Sequence, residues 1–157
     1  MHETKGEDIK QWMQIFIKDM YHIFVHCRRF RELREEAMRL LMSKVEKRID
    51  EYKLKECHVM GLLETAKLFF YDSQLIWPLH YSVYYLGHVP KLDSLVSTEA
   101  FTSTPVCAWF LHNIHGDFHL AGICLASHIW GLIQRDMARW REGFALDEMR
   151  WWYGCNW

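Results

Sequence analysis

The sequence predicts an all-α protein: one helical domain over residues 1–157, packed around a buried central helical hairpin. Three observations lead there. Only three prolines and eight glycines interrupt 157 residues, and no run alternates apolar and polar side chains as a half-buried strand does. Apolar residues instead recur at the three-and-four spacing that keeps one face of a helix dry. The most apolar stretch, 102–135, is hydrophobic on nearly every face. A helix of that kind is buried all round or embedded in a membrane. Its midpoint, His112 to Asp117, is too polar for one span, and each half is too short to cross a bilayer. The expected arrangement is two buried helices joined by a tight break.

The bulk numbers narrow the function classes. Half the residues are hydrophobic and 15% are aromatic, which excludes a disordered chain. A net charge of −1 argues against a general nucleic-acid binder, which needs a basic face. Cys27, Cys57, Cys107, Cys124 and Cys155 are odd in number, widely spaced and form no CxxC pair. That pattern fits reduced thiols in the cytosol or nucleus. The N-terminal residues lack the basic-then-apolar form of a signal peptide, and no lipidation motif is present.

Taken in order, residues 8–27 predict a first helix. Ile9, Trp12, Met13, Phe16, Met20, Ile23, Phe24 and Cys27 form its apolar face. Residues 29–55 predict a longer, charged helix with a narrow stripe of Phe30, Leu33, Ala37, Leu41, Val45, Ile49 and Tyr52. Mixed charges around so short a stripe are the pattern of a solvated helix lying across a domain. Residues 56–72 continue as a helix through Val59, Leu62, Leu63, Ala66, Phe69 and Phe70. The pattern restarts at Leu75, with Pro78 in its first turn or kinking it and Gly87 at its end. His88 to Ser103 reads as a loop holding one short helix, with Asp93 as a cap.

The central pair follows. Thr104 is a good N-cap and Pro105 suits the first helical position. Gly116 can end that helix in a left-handed conformation, and Asp117 can cap the next, which runs to about Arg141. After Gly143, residues 144–153 read as a last amphipathic turn or two. The tryptophan-rich end, 150–157, closes the end of the core, with anchoring at a membrane interface as the alternative.

One cluster carries ligand chemistry: His112, His115, His119, Cys124 and His128. Zinc needs four ligands converging tetrahedrally. Cys124 and His128 share a helical face, whereas His119 points about 140° away from Cys124. A zinc-stabilised adaptor that recruits other proteins, with His112, His115, Cys124 and His128 as ligands, is the alternative to a metal-free protein. Phosphate loops, nucleophile elbows and HExxH are absent. No enzyme and no cofactor are expected.

A run of short motifs points to a family. Leu86-Gly87-His88 precedes Phe101-Thr102-Ser103-Thr104-Pro105. His119-Leu120-Ala121-Gly122 and His128-Ile129-Trp130 follow, with Arg135 beyond. Their order resembles the adenovirus early-region small T antigens, viral Bcl-2-like inhibitors of apoptosis, over about a third of the chain. The resemblance implies a Bcl-2-like bundle that sequesters the amphipathic death-motif helix of host pro-apoptotic proteins, such as BAK, BAX and death-motif-only proteins, in a hydrophobic groove. The groove residues it nominates are Leu79, Val83, Leu86, Leu92, Val96, Phe101, Val106, Trp109 and Phe110. It implies the host-cell cytoplasm, with mitochondrial or nuclear membranes reached through partners. It implies no nucleic acid, no cofactor and no transmembrane span; any peripheral membrane contact would run through partners or the tryptophan-rich end. The family's Gly-Arg pair at the start of the central helix is Val106-Cys107 here, so the arginine contact to the partner helix is not carried over.

Overall fold

A computed structural model describes residues 22–71, 89, 91–97 and 104–141. The described residues are mostly helical, with no strand among them. A π-helical turn at His22–His26 and a 3-10 turn at Arg28–Phe30 lead into α1 (Arg31–Glu51). Helix α2 (Glu56–Leu68), a 3-10 turn at Asp93–Leu95 and α3 (Thr104–Arg141) follow. Helix α1 is the middle layer, packing against both α2 and α3. Of the expected helix at 8–27 only 22–27 are described, the π-helical turn followed by Cys27, with Ile23, Phe24 and Cys27 buried; the segment from Leu75 to Gly87 falls outside the described residues, as do Gly143 and the tryptophan-rich end.

The apolar stripe of α1 buries Leu41, Val45 and Ile49 as its periodicity predicts, with Phe30 just ahead of it. Arg34 is buried in the first turns. Its Nη2 donates to the Cys27 carbonyl at 2.8 Å, tying the preceding turn to the helix. The helix stops at Glu51, earlier than the expected 55. Lys53 takes a left-handed φ of 53°, the Leu54 N–H donates to the Ile49 carbonyl, and the Lys53 N–H donates to the Asp50 carbonyl. These are the two bonds of a Schellman ending. A lysine holds the position that glycine usually fills, so the sequence lacks the ordinary signal for this stop.

Helix α2 contributes Val59, Leu62, Thr65 and Ala66 to the core, and Phe69 and Phe70 follow it inward. The Phe69 ring meets Phe70 and Phe118 edge-on, at 4.9 and 5.0 Å between centroids. The 91–97 segment lies against the start of α2. The Ser97 N–H donates to the His58 carbonyl at 2.9 Å, and Leu95 packs its backbone onto Gly61. A Cβ at Gly61 would sit 3.1 Å from the Leu95 carbonyl oxygen. Glycine is what lets this turn come so close.

The expected helical hairpin is not formed. Residues 104–141 make one continuous helix of 38 residues, which begins where Thr104 and Pro105 predict but does not break at Gly116. The reason is tertiary. Phe110, Ile114, Phe118, Leu125 and Ile129 are buried on one side, and a break at Gly116 would take Ile114 and Phe118 off that shared face. Asp117, nominated as a cap, is used by another helix: Arg48 Nε donates to its Oδ2 at 3.0 Å. A helical glycine costs about 1 kcal/mol, less than the burial of either flanking side chain contributes. The helix is also not buried all round, because α1 covers one side only and Val106, Trp109, Leu120, Ile123, Trp130 and Met137 are exposed.

Gly116 tests this directly. A Cβ there would meet nothing within 4 Å, so Gly116→Ala is expected to raise stability by about 1 kcal/mol in urea unfolding. At a left-handed hairpin break the same change would lower it.

Candidate partner-binding surface

Helix α3 divides into two faces with different chemistry. The inner face carries Phe110, Ile114, Phe118, Leu125, Ile129 and Ile133, with two carboxylates, Asp117 and Asp136, also buried on it. Each carboxylate meets an arginine from across the interface. Arg29 donates through Nε and Nη2 to Asp136 at 3.1 and 3.3 Å. Arg48 donates through Nε and Nη2 to Asp117 at 3.0 and 3.5 Å, and through Nη1 to Glu51 at 3.4 Å. The Asp117 hydrogen bond holds the Arg48 guanidinium still further above its ordinary pKa. Two-pronged guanidinium–carboxylate pairing fixes direction as well as distance, so α3 runs antiparallel to α1 in a set register.

The N-terminal part of α3 is braced by Tyr52. Its ring packs edge-on against Phe110 at 5.3 Å, and its hydroxyl accepts a hydrogen bond from Asn113 Nδ2 at 3.1 Å. That brace places Val106 and Trp109 outward. Trp109 is 65% exposed, and its nearest aromatic contact is the His112 ring, edge-on at 6.4 Å.

The nine residues nominated as a groove therefore separate. Leu79, Val83, Leu86 and Phe101 lie outside the described residues. Leu92, Val96 and Phe110 are buried in the core and are not part of the exposed surface. A groove wall and a core draw on the same residue types, so composition could not separate them. Val106 and Trp109 are at the surface. Sequence reasoning missed Leu120, Ile123 and Trp130 as surface residues by placing them in a helix buried all round. The signal that marks them is the pair of aspartates: Asp117 and Asp136 fall on the inner arc, where arginines of another segment reach them, and that arc excludes Leu120 and Ile123.

The histidine cluster does not converge. On a continuous helix His112 and His128 stand about 24 Å apart along the axis. His112, Cys124 and His128 are exposed, and His115 Nε2 lies 3.2 Å from the Val89 carbonyl oxygen. Among the described residues no group of three His, Cys, Asp or Glu side chains is placed to hold a metal ion. Nor is any described helix long and apolar enough to cross a membrane. No protein-family model matches the chain, and no curated protein or solved structure matches it significantly.

Burial pushes the Cys27 thiol above its ordinary value of 9.0, against the opposing pull of the Arg29 backbone and the Arg34 and Arg29 charges. Tyr71 is raised above 10.0, mainly by burial and then by Glu35. Groups raised on folding contribute stability that is intact below their unfolded pKa and lost as pH rises through the folded value. The urea midpoint is thus expected to fall as pH climbs above about 9, with Cys27→Ala flattening the first part of that fall. An unchanged slope in that variant would remove the assignment. A double-mutant cycle on Arg48 and Asp117 should return a coupling of about 1 kcal/mol, against a few tenths for the exposed Arg39–Glu36 pair.

Proposed function

We propose that this chain is a viral inhibitor of apoptosis that captures the amphipathic death-motif helix of pro-apoptotic Bcl-2 relatives of the BAK and BAX type. The observation that carries the reading is Trp109, a large aromatic presented outward from a braced helix, four residues after the Thr-Ser-Thr-Pro run that carries the family resemblance. Exposed tryptophans on rigid elements are the side chains that most often anchor a partner. Val106, also exposed, extends the same edge. On this reading the described helices belong to a Bcl-2-like bundle with one long helix where the resemblance implies two. The protein acts by binding, with no catalytic group or cofactor. It works in the host-cell cytoplasm and reaches mitochondrial or nuclear membranes through its partners. With Val106 and Cys107 in place of the family's Gly-Arg pair, affinity rests on apolar anchoring at i, i+3 or i+4, and i+7 of the captured helix.

Titration of the folded chain with synthetic death-motif peptides tests this. Saturable binding by at least one peptide is expected. Because Trp109 lies outside the core, Trp109→Ala should weaken that binding by tenfold or more, about 1.4 kcal/mol, while the unfolding midpoint stays within error. Absence of binding by every peptide, or full affinity in the variant, would count against the proposal.

A further inference from the structure

Arginines collect at one end of the described structure. The Arg29–Asp136 pair, closed at 3.1 Å, brings the start of α1 beside the last turns of α3. Around it stand Arg28 and Arg31 from the first segment and Arg135 and Arg139 from the second, all four exposed. These five arginines face two carboxylates, Asp136 and Glu32, in a chain whose net charge is −1. Glu35, one turn further along α1, lies with the buried Arg34 beside Tyr71. Among the described residues no ion pair engages Arg28, Arg31 or Arg135. The fold accounts for half of the cluster. Arg135 and Arg139 are in the last two turns of α3, whose negative end favours cations. Arg28 and Arg31 stand instead at the positive end of α1, where a cation is unfavourable and a bound anion is stabilised. Every permanent cation here is arginine, whereas the described lysines run from Lys44 to Lys91. Guanidinium grips phosphate oxygens two at a time, which ammonium does not.

From this cluster we infer that the arginine end is a docking surface for an anionic phospholipid bilayer, its guanidiniums taking the headgroup phosphates. Compactness selects this occupant. Arg28 and Arg31 flank Arg29, and Arg135 and Arg139 flank Asp136, so all four surround a single ion pair. A nucleic acid held by its backbone needs basic groups along an extended track, whereas a bilayer offers its phosphates as a plane that a blunt basic end can meet. Met137, 39% exposed, stands between Arg135 and Arg139 in sequence and supplies an apolar side chain for the boundary between headgroups and acyl chains. Clustered cations hold a protein to a negatively charged leaflet with no membrane-crossing segment, and no described helix is long and apolar enough to be one. Trp109 lies 26 residues before Arg135, about 39 Å along the helix axis, so a chain seated on lipid by its arginine end holds the Trp109 edge away from the bilayer. The inference therefore does not rest on the proposed capture of a death-motif helix. It adds a direct lipid contact to any made through partners.

Flotation of the full chain with vesicles tests it, comparing phosphatidylcholine alone with phosphatidylcholine containing about a third phosphatidylserine. The chain should float with the anionic vesicles only, and rising salt should release it. Arg28→Gln combined with Arg135→Gln should weaken that binding about thirtyfold, with an unchanged helical circular dichroism spectrum because both side chains are exposed. Lys44→Gln combined with Lys47→Gln removes the same charge from exposed positions further along α1 and should change binding by less than about threefold. Failure to float with anionic vesicles would overturn the inference, as would equal binding to neutral ones, full binding by the arginine variant, or an equal loss in the lysine variant. Tighter binding to polyglutamate or to single-stranded RNA than to the vesicles, lost in the arginine variant, would overturn the lipid assignment. Death-motif peptide binding by the arginine variant reads the proposed function separately, because Val106 and Trp109 are intact in it.

Discussion

Two arginine–carboxylate pairs set the geometry on which the rest of the described structure depends. Nineteen residues separate Arg29 from Arg48, and nineteen separate Asp117 from Asp136. Equal intervals on antiparallel segments let both pairs close together. Sliding α3 by one helical turn would displace both carboxylates by about 5 Å and leave them unpaired in a partly buried interface, where an unpaired charge is costly. The register is therefore discrete. The apolar contacts supply most of the favourable free energy, since burial of Phe110, Ile114, Phe118, Leu125 and Ile129 outweighs what two ion pairs can add. The pairs decide which apolar residues those are.

This explains why the helical face seen in sequence was incomplete. Periodicity was enough for α1 and α2, whose buried residues follow the three-and-four spacing. It was also enough for the start of α3 at Thr104. It failed at two places where a local signal was missing or misleading. The end of α1 is a left-handed lysine with no glycine to announce it. The motif at His115-Gly116-Asp117 has the residue types of a C-cap followed by an N-cap, yet Asp117 is engaged 69 residues away by Arg48. Local chemistry proposed one use for that carboxylate and tertiary structure supplied another. The candidate surface was legible to the same degree. Of the residues singled out, Val106 and Trp109 are at the surface, whereas Leu92, Val96 and Phe110 carry the same apolar chemistry and point inward. Which side of a helix faces its neighbour is settled by the neighbour.

The edge at Val106 and Trp109 places the proposed function on α3. Its inner side is committed to the core by aromatic packing and paired charges, and its outer side mixes exposed apolar side chains with His112, Ser127, His128 and Arg135. Within the described residues there is no convergence of ligands or acids to suggest chemistry of another kind.

The position of the Arg48–Asp117 pair has a mechanical consequence. It pins α3 thirteen residues in, so Thr104 to Gly116 runs on past the pin for about 18 Å, held to the core by Phe110 and Ile114. Val106 and Trp109 sit near the N-terminal end of that arm. What stiffens that arm is Tyr52, at the corner after α1, through its ring on Phe110 and its hydroxyl on Asn113. A load applied at Trp109 is thus transmitted to a fulcrum at Asp117 and a strut at Tyr52, both borne by the C-terminal end of α1. The lysine-turned corner that ends that helix is also the abutment of the surface proposed to bind.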